Sequence, residues 1–148
     1  MKKLIKSIST VLYVTLSACS SSANETTQQQ EVVVEESHDY NEVSDYELIW
    51  ETMFDVDSSF YYVYFYSPTC NHCDEIKNYM ISKALERRNI YFIKASSRDQ
   101  ITNDQNMSNF AGNHGDIWIL GYPSLIQISN KKCTKNLAGI SQIKQELK

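Results

Sequence analysis

Apolar positions along the chain fall into blocks of two periods, separated by polar stretches. After a polar stretch ending near residue 43, Leu48, Ile49 and Met53, with the pair Trp50 and Phe54, recur at helical spacing. Ser44-Asp45-Tyr46-Glu47 just before them has the form of a capping box, predicting a helix that starts at Ser44. Asp55 to Ser59 reads as a turn. Phe60 to Tyr66, Phe-Tyr-Tyr-Val-Tyr-Phe-Tyr, is an unbroken aromatic and β-branched run, the pattern of a central strand covered on both faces. Ile76, Tyr79, Met80, Ala84 and Leu85 keep a helical period to about Arg88, and Asn89 ends it. Ile90 to Ala95 is a second strand. Met107, Phe110 and Ala111 suggest a short helix before Gly112. Leu125 to Ile128 and Cys133 to Leu137 are two more strands joined by a turn at Asn130-Lys131-Lys132. Gly139 then breaks the chain, and Ser141 could cap a last helix with Ile143 and Leu147 on one face. Elements that alternate and then close with a hairpin imply an α/β fold with a mixed sheet of about four to five strands flanked by helices.

The N-terminal third is different. Lys2, Lys3 and Lys6 precede a moderately apolar stretch from Val11 to Leu16, the layout of an export signal. It ends in Leu16-Ser17-Ala18-Cys19, which resembles the bacterial lipobox. That resemblance implies removal of residues 1–18, a diacylglycerol on Cys19, and an extracytoplasmic lipoprotein held at the cell membrane. Residues 19–43 are polar, with Val32-Val33-Val34 as the one apolar patch, and read as a flexible tether. A chain of that length reaches roughly 25–30 Å, enough to hold a domain just off a membrane. Residues 44–148 are then the folded domain.

Charge narrows the partners. The chain carries a formal −4, and without Lys2, Lys3 and Lys6 the remainder is near −7, with 18 acidic residues. Nucleic acid is disfavoured, because phosphate binding needs a basic face.

The chemistry gathers at Cys70-Asn71-His72-Cys73, where the aromatic strand turns into a helix. A Cys at a helix start faces unpaired backbone N–H groups and the positive end of the helix dipole, and both favour the thiolate, the nucleophilic form. Two intervening residues place Cys73 one turn on, within reach of a disulfide. His72 could donate a hydrogen bond or a charge to the Cys70 sulfur. Asp74 and Glu75 oppose the thiolate slightly.

Here the chain resembles the thioredoxin superfamily over residues 44–148. Two motifs carry the likeness: Phe65-Tyr66-Ser67-Pro68-Thr69-Cys70-Asn71-His72-Cys73, and, some fifty residues on, Gly121-Tyr122-Pro123-Ser124 followed by Leu125-Ile126-Gln127-Ile128. The resemblance implies thiol–disulfide exchange with protein substrates, no cofactor and no metal. It makes Cys70 the attacking thiol and Cys73 the more buried resolving one. It makes Pro123 a cis proline beside the disulfide, with the Tyr122 backbone free to pair with a substrate strand. Departures are visible. Thioredoxins have a buried acid six residues before the first Cys, where this chain has Tyr64, and Gly-Pro between the cysteines, where it has Asn71-His72. A His before the second Cys is similar to oxidising periplasmic enzymes and disulfide isomerases. The expected activity is therefore oxidase- or isomerase-like, on exported proteins, with the alternative of reduction by electrons from a membrane partner left open.

Two other classes compete. One is a transport-accessory lipoprotein that uses the fold to dock partners, a role that would survive loss of both cysteines. The other is a soft-metal module built on Cys70, Cys73 and a His. Cys133 reads as a small apolar side chain in the edge hairpin. His38 and His114 lie in polar stretches and read as solvated. Trp50 and Trp118 read as packing residues.

Overall fold

The computed structural model describes residues 37–108 and 116–148. The signal segment 1–18, Cys19, most of the tether and His114 lie outside the described residues. A 3-10 helix, Tyr40–Tyr46, kinked at Val43, opens the described chain. Then come β1 (Glu47–Leu48), a single 3-10 turn (Trp50–Thr52), β2 (Phe60–Tyr66), α1 (Asn71–Arg87), β3 (Ile90–Lys94), α2 (Gln105–Ser108), β4 (Ser124–Ser129), β5 (Lys132–Ala138) and α3 (Ile140–Glu146). The sheet order is β1-β3-β2-β4-β5. β1, β3 and β2 run parallel, while β4 is antiparallel to both β2 and β5. This is the mixed α/β sheet that the alternation of elements predicts.

The aromatic run occupies the centre of the sheet, between β3 and β4. Side chains alternate across a strand, so one uninterrupted run supplies two cores. Tyr62, Tyr64 and Tyr66 face α1 and α3, packing with Cys73, Ile76, Met80, Ala84, Phe92 and Leu147. Tyr61, Val63 and Phe65 face the other way, onto Trp50, Met53, Ile117, Ile119 and Ile126. Helix α1 buries Cys73, Ile76, Met80, Ile81 and Ala84, a stripe of helical period. It stops at Arg88, whose left-handed φ of 55° turns its N–H onto the Ala84 carbonyl at 2.8 Å. The β4–β5 hairpin turns on Asn130 and Lys131, both with positive φ, as a two-residue hairpin loop with matching twist requires.

Three expectations need correction. The capping box is at Asp39, not Ser44: the Asp39 N–H donates to Glu42 Oε1 at 2.7 Å and the Asn41 N–H donates to Asp39 Oδ1 at 2.9 Å. Tyr40 and Val43 pack into the core, so folded structure begins before Ser44. The helix read over Leu48 to Phe54 is instead β1 and one 3-10 turn. Glu47 and Leu48 pair with Phe92 and Ile93 on the open edge of β3, and a ladder on an unpaired edge outweighs local helix spacing. Ser141 does not cap α3. The helix begins two residues earlier, after Gly139 at φ 83°, with no side-chain cap, while Ile143 and Leu147 are buried as read. Among the described residues, no helix is long and apolar enough to cross a membrane.

Candidate functional site

Cys70 sits where β2 ends and α1 begins. Ser67-Pro68-Thr69 makes the turn, closed by the Cys70 N–H donating to the Ser67 carbonyl at 3.1 Å. Cys70 is the N-cap of α1, with extended backbone at φ −98° and ψ 113°. Its Sγ takes the place of a capping oxygen and accepts from the Cys73 N–H at 3.2 Å. The Cys73 N–H is shared between this sulfur and the Cys70 carbonyl at 3.0 Å, and the sulfur lies at the helix N-terminus, the place where a negative charge is favoured. Its thiol donates on the other side to the Tyr122 carbonyl at 3.4 Å.

Cys70 is partly open to solvent, whereas Cys73, one turn on, is 1 % exposed. Both are thiols here. Burial, and then the neighbouring Cys70 sulfur, push the Cys73 thiol up. The two sulfurs therefore differ in their reach to solvent.

The loop before β4 forms the far wall. Gly121 takes a φ of 116°, the Tyr122–Pro123 peptide is cis, and Pro123 is buried. The Ser124 hydroxyl donates to the Gly121 carbonyl at 2.6 Å, and the Gly139 N–H donates to the Pro123 carbonyl at 3.0 Å. The Tyr122 phenol donates to the Asp99 carboxylate, which ties this loop to the segment after β3. Burial first, then Asp99, hold that phenol above its ordinary range. Nothing in the sequence pattern pointed to Asp99.

His72 is placed differently from expectation. Its side chain is 74 % exposed and points to Glu75, with Nδ1 3.6 Å from the carboxylate, and it makes no hydrogen bond to either sulfur. The second residue of α1 projects away from the stripe that carries Cys73 and Ile76, and Glu75 lies one turn on along its own face. Asp74 is likewise exposed and sits 3.3 Å from Lys77. Asp74 thus has a cationic neighbour, and Glu75 has the His72 ring beside it.

The remaining candidates fall outside the site. Cys133 is 1 % exposed on β5, where burial pushes its thiol up to about 11, and it donates to the Lys135 carbonyl at 3.2 Å. Trp50 is core. Trp118 is half-buried, and its carbonyl accepts from Asn136 at 2.8 Å. The His38 side chain is only 12 % exposed and pairs with Glu42 at 3.0 Å, so it is not solvated as read. Among the described residues, no three His, Cys, Asp or Glu side chains gather to hold a metal ion.

Of two residues behind Cys73, Tyr40 escaped the sequence reading and Tyr64 was noted only for the acid it replaces. Tyr40 lies on Tyr66, ring centroids 3.9 Å apart, and Tyr64 is fully buried beside Cys73. The Asp39-x-x-Glu42 spacing is itself a capping-box signal that would have brought Tyr40 into the folded domain.

No protein-family model and no curated protein matches the chain. Solved structures do. Thioredoxin f2 of Chlamydomonas reinhardtii is 16 % identical, over 68 % of this chain and 88 % of that one, at a TM-score of 0.45. Spinach chloroplast thioredoxin f is 12 % identical, over 68 % and 78 %, at 0.47. Plasmodium falciparum thioredoxin is 17 % identical, over 62 % and 81 %, at 0.43. Independently of these, three parallel strands and an antiparallel hairpin in the order β1-β3-β2-β4-β5, with a Cys-x-x-Cys at the start of the helix that follows the central strand, define an architecture. The fold is that of the thioredoxin superfamily.

Proposed function

We propose that this chain is a membrane-tethered, extracytoplasmic thiol–disulfide oxidoreductase acting on exported protein substrates in the oxidising or isomerising direction. The observation that supports it best is the Cys70 sulfur, capped by the Cys73 N–H at 3.2 Å and lying 3.4 Å from the Tyr122 carbonyl. A substrate backbone held against Tyr122 and Pro123 would present its sulfur to Cys70. In the oxidising direction a substrate thiolate attacks the Cys70–Cys73 disulfide at Cys70. The Cys70–Cys73 bond breaks, and its electron pair leaves on Cys73, which takes a proton. A second substrate thiolate then attacks the mixed disulfide at the substrate sulfur. Cys70 departs as the thiolate, and the substrate has lost two electrons to the pair. A membrane redox partner would reoxidise the dithiol. No cofactor enters these steps.

The direction follows from charge. Only the reduced pair carries a thiolate, so whatever favours that thiolate favours reduction of the pair and raises its potential. The α1 N-terminus does so, while Asp74 and Glu75 are exposed and paired. Equilibration with glutathione should give a potential above the roughly −270 mV of thioredoxin. A value at or below it would turn the assignment to a reductase. Because His72 is exposed and paired with Glu75, His72→Ala should move the potential by less than about 30 mV.

Leu16-Ser17-Ala18-Cys19 supports the location. Wild-type protein should fractionate with membranes, and Cys19→Ser should release it or leave it unprocessed. Wild-type protein found soluble and without lipid would overturn the tether.

A further inference from the structure

Two buried hydroxyls lack partners. Tyr64 Oη and Tyr40 Oη are shielded from solvent and make no hydrogen bond of normal length. A buried, unpaired hydroxyl is destabilising and rare enough to need a reason. Other tyrosines on the same face of β2 are satisfied: Tyr62 donates to Glu146 at 3.0 Å and Tyr66 to Glu47 at 3.0 Å. Tyr64 instead has as its polar neighbours Tyr40, Cys73 and Cys70.

We infer that Tyr64, backed by Tyr40, is a hydrogen-bond donor held in place for the Cys73 thiolate, the species that resolves the mixed disulfide. The inference rests on the exchange reading above. A neutral thiol is a weak acceptor, so while Cys73 is protonated the Tyr64 hydroxyl stays unpaired. A thiolate is a strong acceptor, and its formation completes the arrangement. Burial and the Cys70 sulfur oppose the charged form of Cys73, while the Ser67 backbone and then Tyr64 favour it. Burial holds both phenols far above their ordinary range, so they donate and never act as bases. Tyr40 can donate to the Tyr64 oxygen, leaving the Tyr64 proton for sulfur.

The step balances without them as reactants. In the mixed disulfide, Cys73 gives its proton to water and attacks Cys70 Sγ. The Cys70–Cys73 bond forms as the Cys70–substrate bond breaks. The electron pair leaves on the substrate sulfur, which is protonated by water. Both phenols keep their protons throughout.

The test uses the full, reduced chain and a bis(nitrobenzoate) aryl disulfide. The first arylthiolate released reports attack by Cys70, and the second reports closure by Cys73. Losing a hydrogen bond to a charged group lowers the thiolate population about tenfold, and the more basic sulfur recovers part of that, so closure in Tyr64→Phe should slow about threefold at neutral pH. The first release should not change. The thermal midpoint should hold or rise, because an unpaired buried hydroxyl has been removed. Tyr40→Phe should slow closure in the same direction, by less. Unchanged closure in Tyr64→Phe would overturn the inference, as would slowing of both releases together with a lowered midpoint, which marks a structural role. A wild-type chain that releases only the first arylthiolate would overturn the exchange reading itself.

Discussion

Cys70→Ser should abolish thiol–disulfide exchange, and Cys73→Ser should instead arrest it halfway. The expectation follows from the geometry of the pair. Cys70 is the sulfur that a substrate can reach, and it holds the N-cap of α1 with the Cys73 N–H 3.2 Å away. A serine hydroxyl there is not ionised at neutral pH and cannot form a disulfide. The loss should therefore be at least about a thousandfold, on the scale of removing a covalent nucleophile. Cys73 is 1 % exposed and, on the proposed mechanism, attacks Cys70 Sγ only once that sulfur is bonded to a substrate. Without it the first attack proceeds, and the mixed disulfide stays until an outside thiol cleaves it. Non-reducing gels of extracts expressing each variant read this directly. Adducts should accumulate with Cys73→Ser and be absent with Cys70→Ser. The reverse pattern would exchange the two roles. A double variant that keeps its biological effect would point to the docking class instead.

The second large effect is on stability. Phe92→Ala should cost about 3–5 kcal/mol, the range for deleting a buried aromatic ring and leaving a cavity. Phe92 is fully buried on β3, and it meets Tyr40, Tyr64 and Tyr66 edge to face at centroid distances of 6.1, 5.7 and 6.4 Å. It is thus the common neighbour of three tyrosines on one side of the sheet, and each such pair adds to the burial term. Domains of this size are stable by about 5–15 kcal/mol, so the variant should lose a large part of its margin. Urea titration should show a lower midpoint with an unchanged slope. Phe92→Leu, which refills most of the volume, should cost about 1–2 kcal/mol. A loss below about 1 kcal/mol for Phe92→Ala would mean that the cavity collapses and that the tyrosine cluster does not depend on Phe92.

Much of this was legible without coordinates. The run from Phe60 to Tyr66 needs burial on both sides, and a strand buried on both sides must be central. The spacing of Ile76, Met80 and Ala84 determines which face of α1 turns inward, because 3.6 residues per turn leaves no alternative. Gly139 marked the break before α3. Cys70 and Cys73, one turn apart at a strand-to-helix junction, pointed to thiol chemistry, since the start of a helix favours a thiolate.

Other features depended on residues distant in the chain. Local pattern made a helix of the stretch after Ser44, and the free edge of β3 made a strand of its first two residues. The Ser44 capping box and the Asp39 capping box are the same motif five residues apart, and only the packing of Tyr40 and Val43 selects the earlier one. His72 is adjacent to Cys73 in sequence, yet the helix turns it outward to Glu75. Asp99 meets the Tyr122 phenol across 23 positions, and Tyr64 stands behind Cys73 with Tyr40 beside it. The sequence by itself determined the periods, the sheet's central strand and the reactive pair, because those follow from spacing along one backbone. Only the tertiary structure decided what surrounds the sulfurs, because a hydrogen bond or a buried phenol depends on segments that meet only when the sheet closes.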